Sequence, residues 1–232
     1  PIFLPRFFSI EQFVEHISGY NVLDNISLQF HLYETYLKSE DIDQISFDKF
    51  IGWSNILLND FNDVDRNLID PKHIFSNLRE VKNLDNWGSQ PWSLSGQSLT
   101  SLQQEYVSFY DCIYDWYLDL NQSLSIHNFA YQGMAYRKSA EKIDDFQLDC
   151  EKIWFVGLNA LTKAEERIIH TLKEKDIARV FWDADEFYYN NPQHEAGEFL
   201  RIQKRKWNEI NFEGVGDYFD DKKNFNIISC PR

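Results

Sequence analysis

Positive charge, cysteine, glycine, proline and long apolar runs are all in short supply in this sequence, and each shortage closes a class of function. Lys and Arg number 23 against 37 Asp and Glu, a formal charge of −14. Phosphate binding is dominated by Lys and Arg, so the charge argues against a general affinity for nucleic acid without excluding a local basic groove. The three cysteines, Cys112, Cys150 and Cys230, are odd in number, far apart and without a CxxC. They make no disulfide framework, and the simplest account is a reduced, cytoplasmic chain. Six histidines (His16, His31, His73, His127, His170 and His194) never fall at HxxxH or HExxH spacing, which removes the common zinc motifs. Glycine amounts to nine residues and proline to six. No GxxxxGK[ST] loop or GxSxG elbow is built from them, and Gly214-Val-Gly216 is too short for a GxGxxG. No apolar run reaches membrane-spanning length and no signal peptide is visible, so a membrane is not among the expected partners.

Aromatic residues, by contrast, make up 16% of the 232 residues, which favours well-filled helix packing around a sizeable core. Ile2 to Phe8 is a candidate strand interrupted by Pro5, hence an edge strand or an extended entry segment. Ser9 and Gln12 form a capping box ahead of Ile10, Phe13, Val14 and Ile17, and Gly19 is a good residue to end that helix. Leu28 to Leu37 is a short helix, and Ser46 to Asp70 a long one stopped by Pro71. The Asp60, Asp63, Asp65 and Asp70 side chains of the latter do not converge at that spacing, and a solvated helix face is the default reading. Ile74 to Leu84 is helical, and Asn86 to Ser98 is a turn-rich loop. Thr100 and Gln103 cap a helix running to about Leu120. It is apolar almost all round, which points to the inside of a bundle rather than to a base-stacking platform. Ile126 to Ile143 and Pro192 to Trp207 complete the helices, and Asn211 to Asn224 is a loop before a last strand. Both ends of the chain have the look of a piece cut from a longer protein.

The organising stretch is Lys152 to Tyr189. Ile153 to Val156 is a short continuous apolar run, as expected of a strand buried in a parallel sheet, and Ala178 to Trp182 is a second run, apolar apart from Arg179. Between them Thr162 and Glu165 make a second capping box, and Ala164, Ile168, Ile169 and Leu172 give the helix one apolar face. The architecture is therefore α/β, with a long all-helical insertion between about residues 20 and 150. Ligands of open α/β sheets sit beyond the carboxyl ends of strands, which directs attention to Asp183, Asp185 and Glu186. Asp183-Ala-Asp185, with Gly216, Asp217 and Asp221 later, resembles the nucleophile and Mg²⁺ motifs of haloacid dehalogenase-type phosphatases. Glu186 and Phe187 depart from that family, and too little chain lies between the two motifs for its sheet.

A wider resemblance covers nearly the whole chain. IWFVGLNALTKAEERII is similar to the strand and helix of helicase motif II, and VFWDADEFYY is similar to motif III. LPRFFSIEQFV looks like the motif Ia strand and helix, and NFNIISCPR like the first strand of a second RecA-like domain. Together, in this order, they resemble AddB/RexB-type subunits. These are superfamily 1 helicase-like proteins of bacterial double-strand-break repair that end in a PD-(D/E)XK exonuclease domain. The resemblance implies an incomplete RecA-like parallel core at residues 1–20 and 150–210. A 1B-type helical insertion would occupy 21–149, and 211–232 would form a linker and the start of a following domain. The parent protein would use ATP and Mg²⁺, and this internal piece neither. Motif II needs an Asp to hold Mg²⁺ and a Glu to orient water. Val156 and Gly157 stand there, followed by Asn159, and motif III has Asp183, Asp185 and Glu186 but no glutamine. The implied role is an inactivated scaffold contacting single-stranded DNA or a helicase or nuclease partner subunit. The implied DNA contacts are Ser9, Arg137, Lys138, Lys142, Arg201, Lys204, Arg205 and Lys206, because backbone contacts need only amides, hydroxyls and cations. A pure protein-docking module is the alternative that the charge of −14 favours.

Overall fold

Ser9 opens the first helix, α1 (Ile10–Ser18), by the expected reciprocal cap. Its Oγ accepts from the Gln12 amide at 3.2 Å, and Gln12 Oε1 accepts from the Ser9 amide at 3.0 Å. The computed structural model describes residues 5–39, 44–75, 101–207, 213–219 and 221–224. Residues 5–8 are in no strand, which goes against the edge-strand reading of that segment and leaves the extended entry segment. The expected features at 1–4, 76–100 and 225–232 lie outside the described residues.

Two compact units divide the chain, Pro1–Phe146 with Thr162–Ile168, and Gln147–Leu161 with Ile169–Arg232. In the first, the helices α2 (Asn25–Tyr36), α3 (Phe47–Arg66), α4 (Ser101–Ile126) and α5 (Gln132–Lys142) follow α1. An aromatic cluster fills this unit. Tyr36 and Phe50 approach to 4.9 Å between ring centroids, Phe50 and Trp53 to 4.7 Å, and Tyr36 and Trp116 to 5.5 Å. Trp116 is 1% exposed and donates its indole N–H to Ser39 Oγ at 2.6 Å, so it is a core residue rather than a stacking platform. The single helix expected over 126–143 is broken. Asn128 takes a left-handed φ of 55° after α4, and a two-residue strand, β2 (Phe129–Ala130), follows before α5 begins. That strand pairs in parallel with β1 (Asn21–Val22). The long helix α3 likewise stops at Arg66 rather than Asp70, with Leu68 at φ 53°. Where α3 meets α5 only glycine fits, because a Cβ on Gly133 would lie 2.5 Å from the Asn62 carbonyl oxygen. The apolar face of α1 is satisfied here too, with Ser139 Oγ donating to the Val14 carbonyl at 2.8 Å. The described residues 5–20 belong to the same compact unit as these helices.

The second unit is built on β3 (Ile153–Leu158) and β4 (Ala178–Trp182), a parallel pair joined through α6 (Lys163–Glu174). Helix α6, whose residues up to Ile168 are counted with the first unit, starts at the expected capping box, Thr162 N–H reaching Glu165 Oε2 at 2.8 Å, and its Ala164, Ile168, Ile169 and Leu172 are buried. The expectation of strands buried on both faces is corrected. Phe155 and Val180 are 7% and 6% exposed, but Trp154 and Val156 are each 69% exposed. The Ile153–Val156 run was continuous because the uncovered face of β3 is apolar as well, not because both faces are covered; on β4 that face carries Arg179, paired with Trp154, and Phe181. Gly157 sits at a bulge with φ 75°, and the register passes from Val156–Phe181 to Leu158–Trp182 across it. One extra residue reverses the side-chain alternation, so the bulge pairs Leu158 with the buried Trp182. Beyond β4 come β5 (Ala184–Asp185), α7 (Glu186–Asn190), a 3₁₀ turn (Glu195–Gly197), α8 (Glu198–Trp207) and β6 (Val215–Gly216), which pairs in parallel with β5. The helix expected from Pro192 thus begins only at Glu198. Its last residue, Trp207, reaches Trp182 at 5.8 Å and His170 at 6.0 Å between centroids. The fold is a mixture of helices and small parallel sheets, of α/β type. Among the described residues no helix is long and apolar enough to cross a membrane.

Candidate functional site

The carboxyl end of β3 carries Val156, Gly157 and Asn159, all exposed. Holding Mg²⁺ and orienting a water calls for carboxylates. A valine side chain and a bulge glycine supply no oxygen ligand, so these residues do not fit Mg²⁺–ATP. Gly157 has a structural account of its own in the left-handed bulge.

At the end of β4, Asp183 and Glu186 are exposed and Asp185 is half-buried. Asp185 acts through both oxygens on backbone amides. Oδ1 accepts from Phe187 N at 2.9 Å and caps α7, while Oδ2 accepts from Tyr218 N at 2.8 Å. The carboxylate therefore ties the 213–219 segment to the start of α7, and the Phe187 and Phe219 rings stack there 3.8 Å apart. The β5–β6 pairing does set Asp185 beside Gly216, as a phosphatase-like arrangement requires. Yet the second aspartate of that motif is engaged by two amides rather than free for acid–base work. Among the described residues no group of three or more His, Cys, Asp or Glu is placed to hold a metal ion.

The cations expected to meet DNA separate into two kinds. On α5 they serve the helical unit. Arg137 Nε lies 2.5 Å from Asp65 Oδ1, and its Nη2 donates to the carbonyls of Val64 at 3.1 Å and Ile69 at 2.5 Å, closing the end of α3. Lys142 Nζ donates to the Ser18 carbonyl at the end of α1 and lies 5.4 Å from the Tyr20 ring. Lys138 pairs with Glu141 at 2.9 Å. Ser9 is occupied as the α1 cap. These four residues do not form one surface patch, because the helix that carries the cations turns Arg137 inward.

On α8 the cations converge. Arg201, Lys204 and Arg205 line a cavity of about 580 Å³ together with Tyr189, His194, Glu195 and Glu198. Arg201 is fixed by carbonyls, Nη1 donating to Tyr188 at 3.0 Å and Nη2 to His194 at 2.7 Å. Lys204 Nζ lies 5.0 Å from the Tyr189 ring. Lys206, in the same last turn, is exposed and is not part of the lining. A helix C-terminus attracts cations through its dipole, which accounts for Lys204, Arg205 and Lys206 as a group. It does not account for their meeting a histidine and a tyrosine around one hollow. Neither His194 nor Tyr189 stood out in the sequence; the only signal was their nearness to a basic helix. A second cavity of about 390 Å³ is lined by residues of α1, α2, α3 and α5, and two of its polar side chains are engaged by backbone amides. Asn62 Oδ1 accepts from Gly133 N at 2.6 Å, and Glu15 Oε1 from Val22 N at 3.0 Å.

The acidic tract of α3 holds the largest surprise. Asp65, expected on a solvated face, is 0% exposed and accepts from Tyr117 Oη at 2.7 Å, from Tyr131 Oη and from Arg137. Burial and then the Asp65 charge hold both tyrosine hydroxyls far above their usual range. Asp60 is raised as well, by partial burial and the neighbouring Asp63. Set against protein-family models and against curated proteins, the chain finds no match in either comparison.

Proposed function

We propose that this chain is a helicase-like scaffold region of AddB/RexB type, from a double-strand-break repair helicase–nuclease, which binds DNA rather than hydrolysing ATP. The observation that carries the reading is the end of β3. A parallel strand–helix–strand unit presents Val156 and a bulge glycine where a RecA-like motor keeps its catalytic carboxylates. The RecA-like character of the core belongs to this proposal and is supported by the parallel connection through α6. Strand contact is assigned to α8, because the α5 cations are engaged within their own unit.

Binding of a dye-labelled single strand, followed by anisotropy across a salt series, tests this. With three phosphates met by Lys204, Arg205 and Lys206, log K is expected to fall with a slope of about −2 against log salt. The triple variant K204Q/R205Q/K206Q is expected to bind about tenfold or more weakly, with Lys138→Gln nearly unchanged. Equal affinity of the triple variant and the parent would sink the assignment.

A second reading, docking to the motor or nuclease partner subunit, is favoured by the face of β3–β4 that carries Trp154, Val156 and the half-exposed Phe181. Trp154→Ser with Val156→Ser should leave the fold intact and abolish co-elution with the purified partner. Retained co-elution removes this face from the account.

A further inference from the structure

We propose that the cavity between α7 and α8 is a binding site for a phosphomonoester, the terminal phosphate of a nucleotide. The charge distribution is the first argument. In a chain of net charge −14, Arg201, Lys204 and Arg205 stand at i, i+3 and i+4 around one hollow. Among the described residues none of the three enters an ion pair, although Glu195 and Glu198 line the same hollow. Like charges at those helical spacings repel, and a bound anion relieves the repulsion without breaking an ion pair.

Donor geometry is the second. Arg201 spends hydrogen bonds on the carbonyls of Tyr188, Tyr189 and His194, which immobilise its guanidinium. Two of the five N–H donors of an arginine are left over, on a group that no longer loses entropy when it binds. His194 Nδ1 accepts from Ala196 N at 3.3 Å, so the neutral ring carries its proton on Nε2 and offers a donor there. Lysine, arginine and imidazole donors from an α-helix and the preceding turn thus share the lining of the cavity with the carboxylates of Glu195 and Glu198.

Size and charge choose the ligand. A volume of about 580 Å³ exceeds what a bare phosphate fills and matches sites for small organic molecules, so the phosphate carries a group that meets the Tyr189 wall. A monoester brings close to two negative charges and three terminal oxygens to donors arriving from several sides. A diester has fewer of both, and a chain leaving on either side. The choice of a nucleotide as the carrier rests on the DNA-repair reading above; the phosphate site does not. Two sources share this chemistry, a free mononucleotide and the 5′-phosphorylated end of a strand.

The test compares deoxyadenosine 5′-monophosphate with deoxyadenosine by titration calorimetry. Alongside it, a short single strand bearing a 5′-phosphate is compared with the same strand bearing a 5′-hydroxyl, by anisotropy from a 3′ dye. Each is measured on the parent and on K204Q/R205Q, whose side chains lie at the surface and whose folding is checked by far-UV circular dichroism. The expected result is binding of the monophosphate and not of the nucleoside, weakened about tenfold or more in the variant. A preference of similar size for the 5′-phosphorylated strand identifies the strand end as the source. Binding of the mononucleotide alone identifies the free nucleotide; the site then stands while the DNA reading fails. The proposal is overturned if the monophosphate does not bind, or if the variant binds it as tightly as the parent. Equal, salt-sensitive binding of both strands without monophosphate binding leaves the DNA reading standing and removes the pocket from it.

Discussion

Asp65→Asn lowers the unfolding free energy by about 3–5 kcal/mol, the range found when one partner of a buried ion pair is removed. The carboxylate is fully buried and neutralises Arg137, whose side chain is 17% exposed. It also accepts the hydroxyls of Tyr117 and Tyr131. An amide of the same shape keeps the packing and loses the charge. The guanidinium is then left uncompensated, and hydrogen bonds to a charged acceptor become ordinary ones. For a chain of this length the loss corresponds to a fall in Tm on the order of 10 °C. Arg137→Met leaves the opposite charge stranded and is expected to cost a similar amount. The double variant should cost clearly less than the two single losses added, because neither charge then remains alone. Urea unfolding followed by circular dichroism measures all three, and a loss below about 1 kcal/mol for Asp65→Asn would show that the buried charge is dispensable.

Alkali should unfold the protein steeply. Tyr117, Tyr131 and Tyr136 are 6%, 0% and 3% exposed. Burial is the main cause that raises the pKa of each. Asp65 adds to it for the first two, and Glu165 and Glu11 for Tyr136. An unfolded tyrosine ionises near pH 10. Below that pH the folded and unfolded chains hold the same phenolic protons, and these residues contribute no slope. Above it the unfolded chain releases protons that the folded chain keeps, so the unfolded state binds fewer protons and stability falls as pH rises. Three such groups give a slope of about −4 kcal/mol per pH unit once past pH 10. Denaturant midpoints on either side of pH 10 check the sign, and tyrosinate absorbance should show these three rings ionising only with unfolding. Stability that holds level from pH 9 into strong alkali contradicts the burial of these hydroxyls.

What could be read from sequence was local. The Ser9/Gln12 and Thr162/Glu165 boxes rest on partners three residues apart, and both close as expected. The apolar face of α6 follows from helical spacing alone. The misreadings come from distance and direction. Asp65 shares the spacing of Leu58 and Phe61, which placed it on the buried face, but its partner Arg137 lies 72 residues away and periodicity does not reach it. Arg137 and Arg201 look alike as cations on amphipathic helices. Only the packing of α5 on α3 turns the first inward, while the carbonyls around the α7–α8 connection leave the second at the rim of a cavity. The uncovered face of β3–β4 was hidden because Trp154 and Val156 are as apolar as the residues on the covered face.

That uncovered face also sets how the molecule behaves among its own copies. Chains of charge −14 hold one another off while the ionic atmosphere is extended, about 30 Å at 10 mM salt, and much less once it shrinks to about 3 Å at 1 M. Contact through Trp154, Val156 and Phe181, which share their face with Arg179, gains as that net repulsion fades. Added salt therefore favours association through the sheet, and it would loosen the phosphate contact proposed for α8, so one variable would move the two surfaces of this unit in opposite directions.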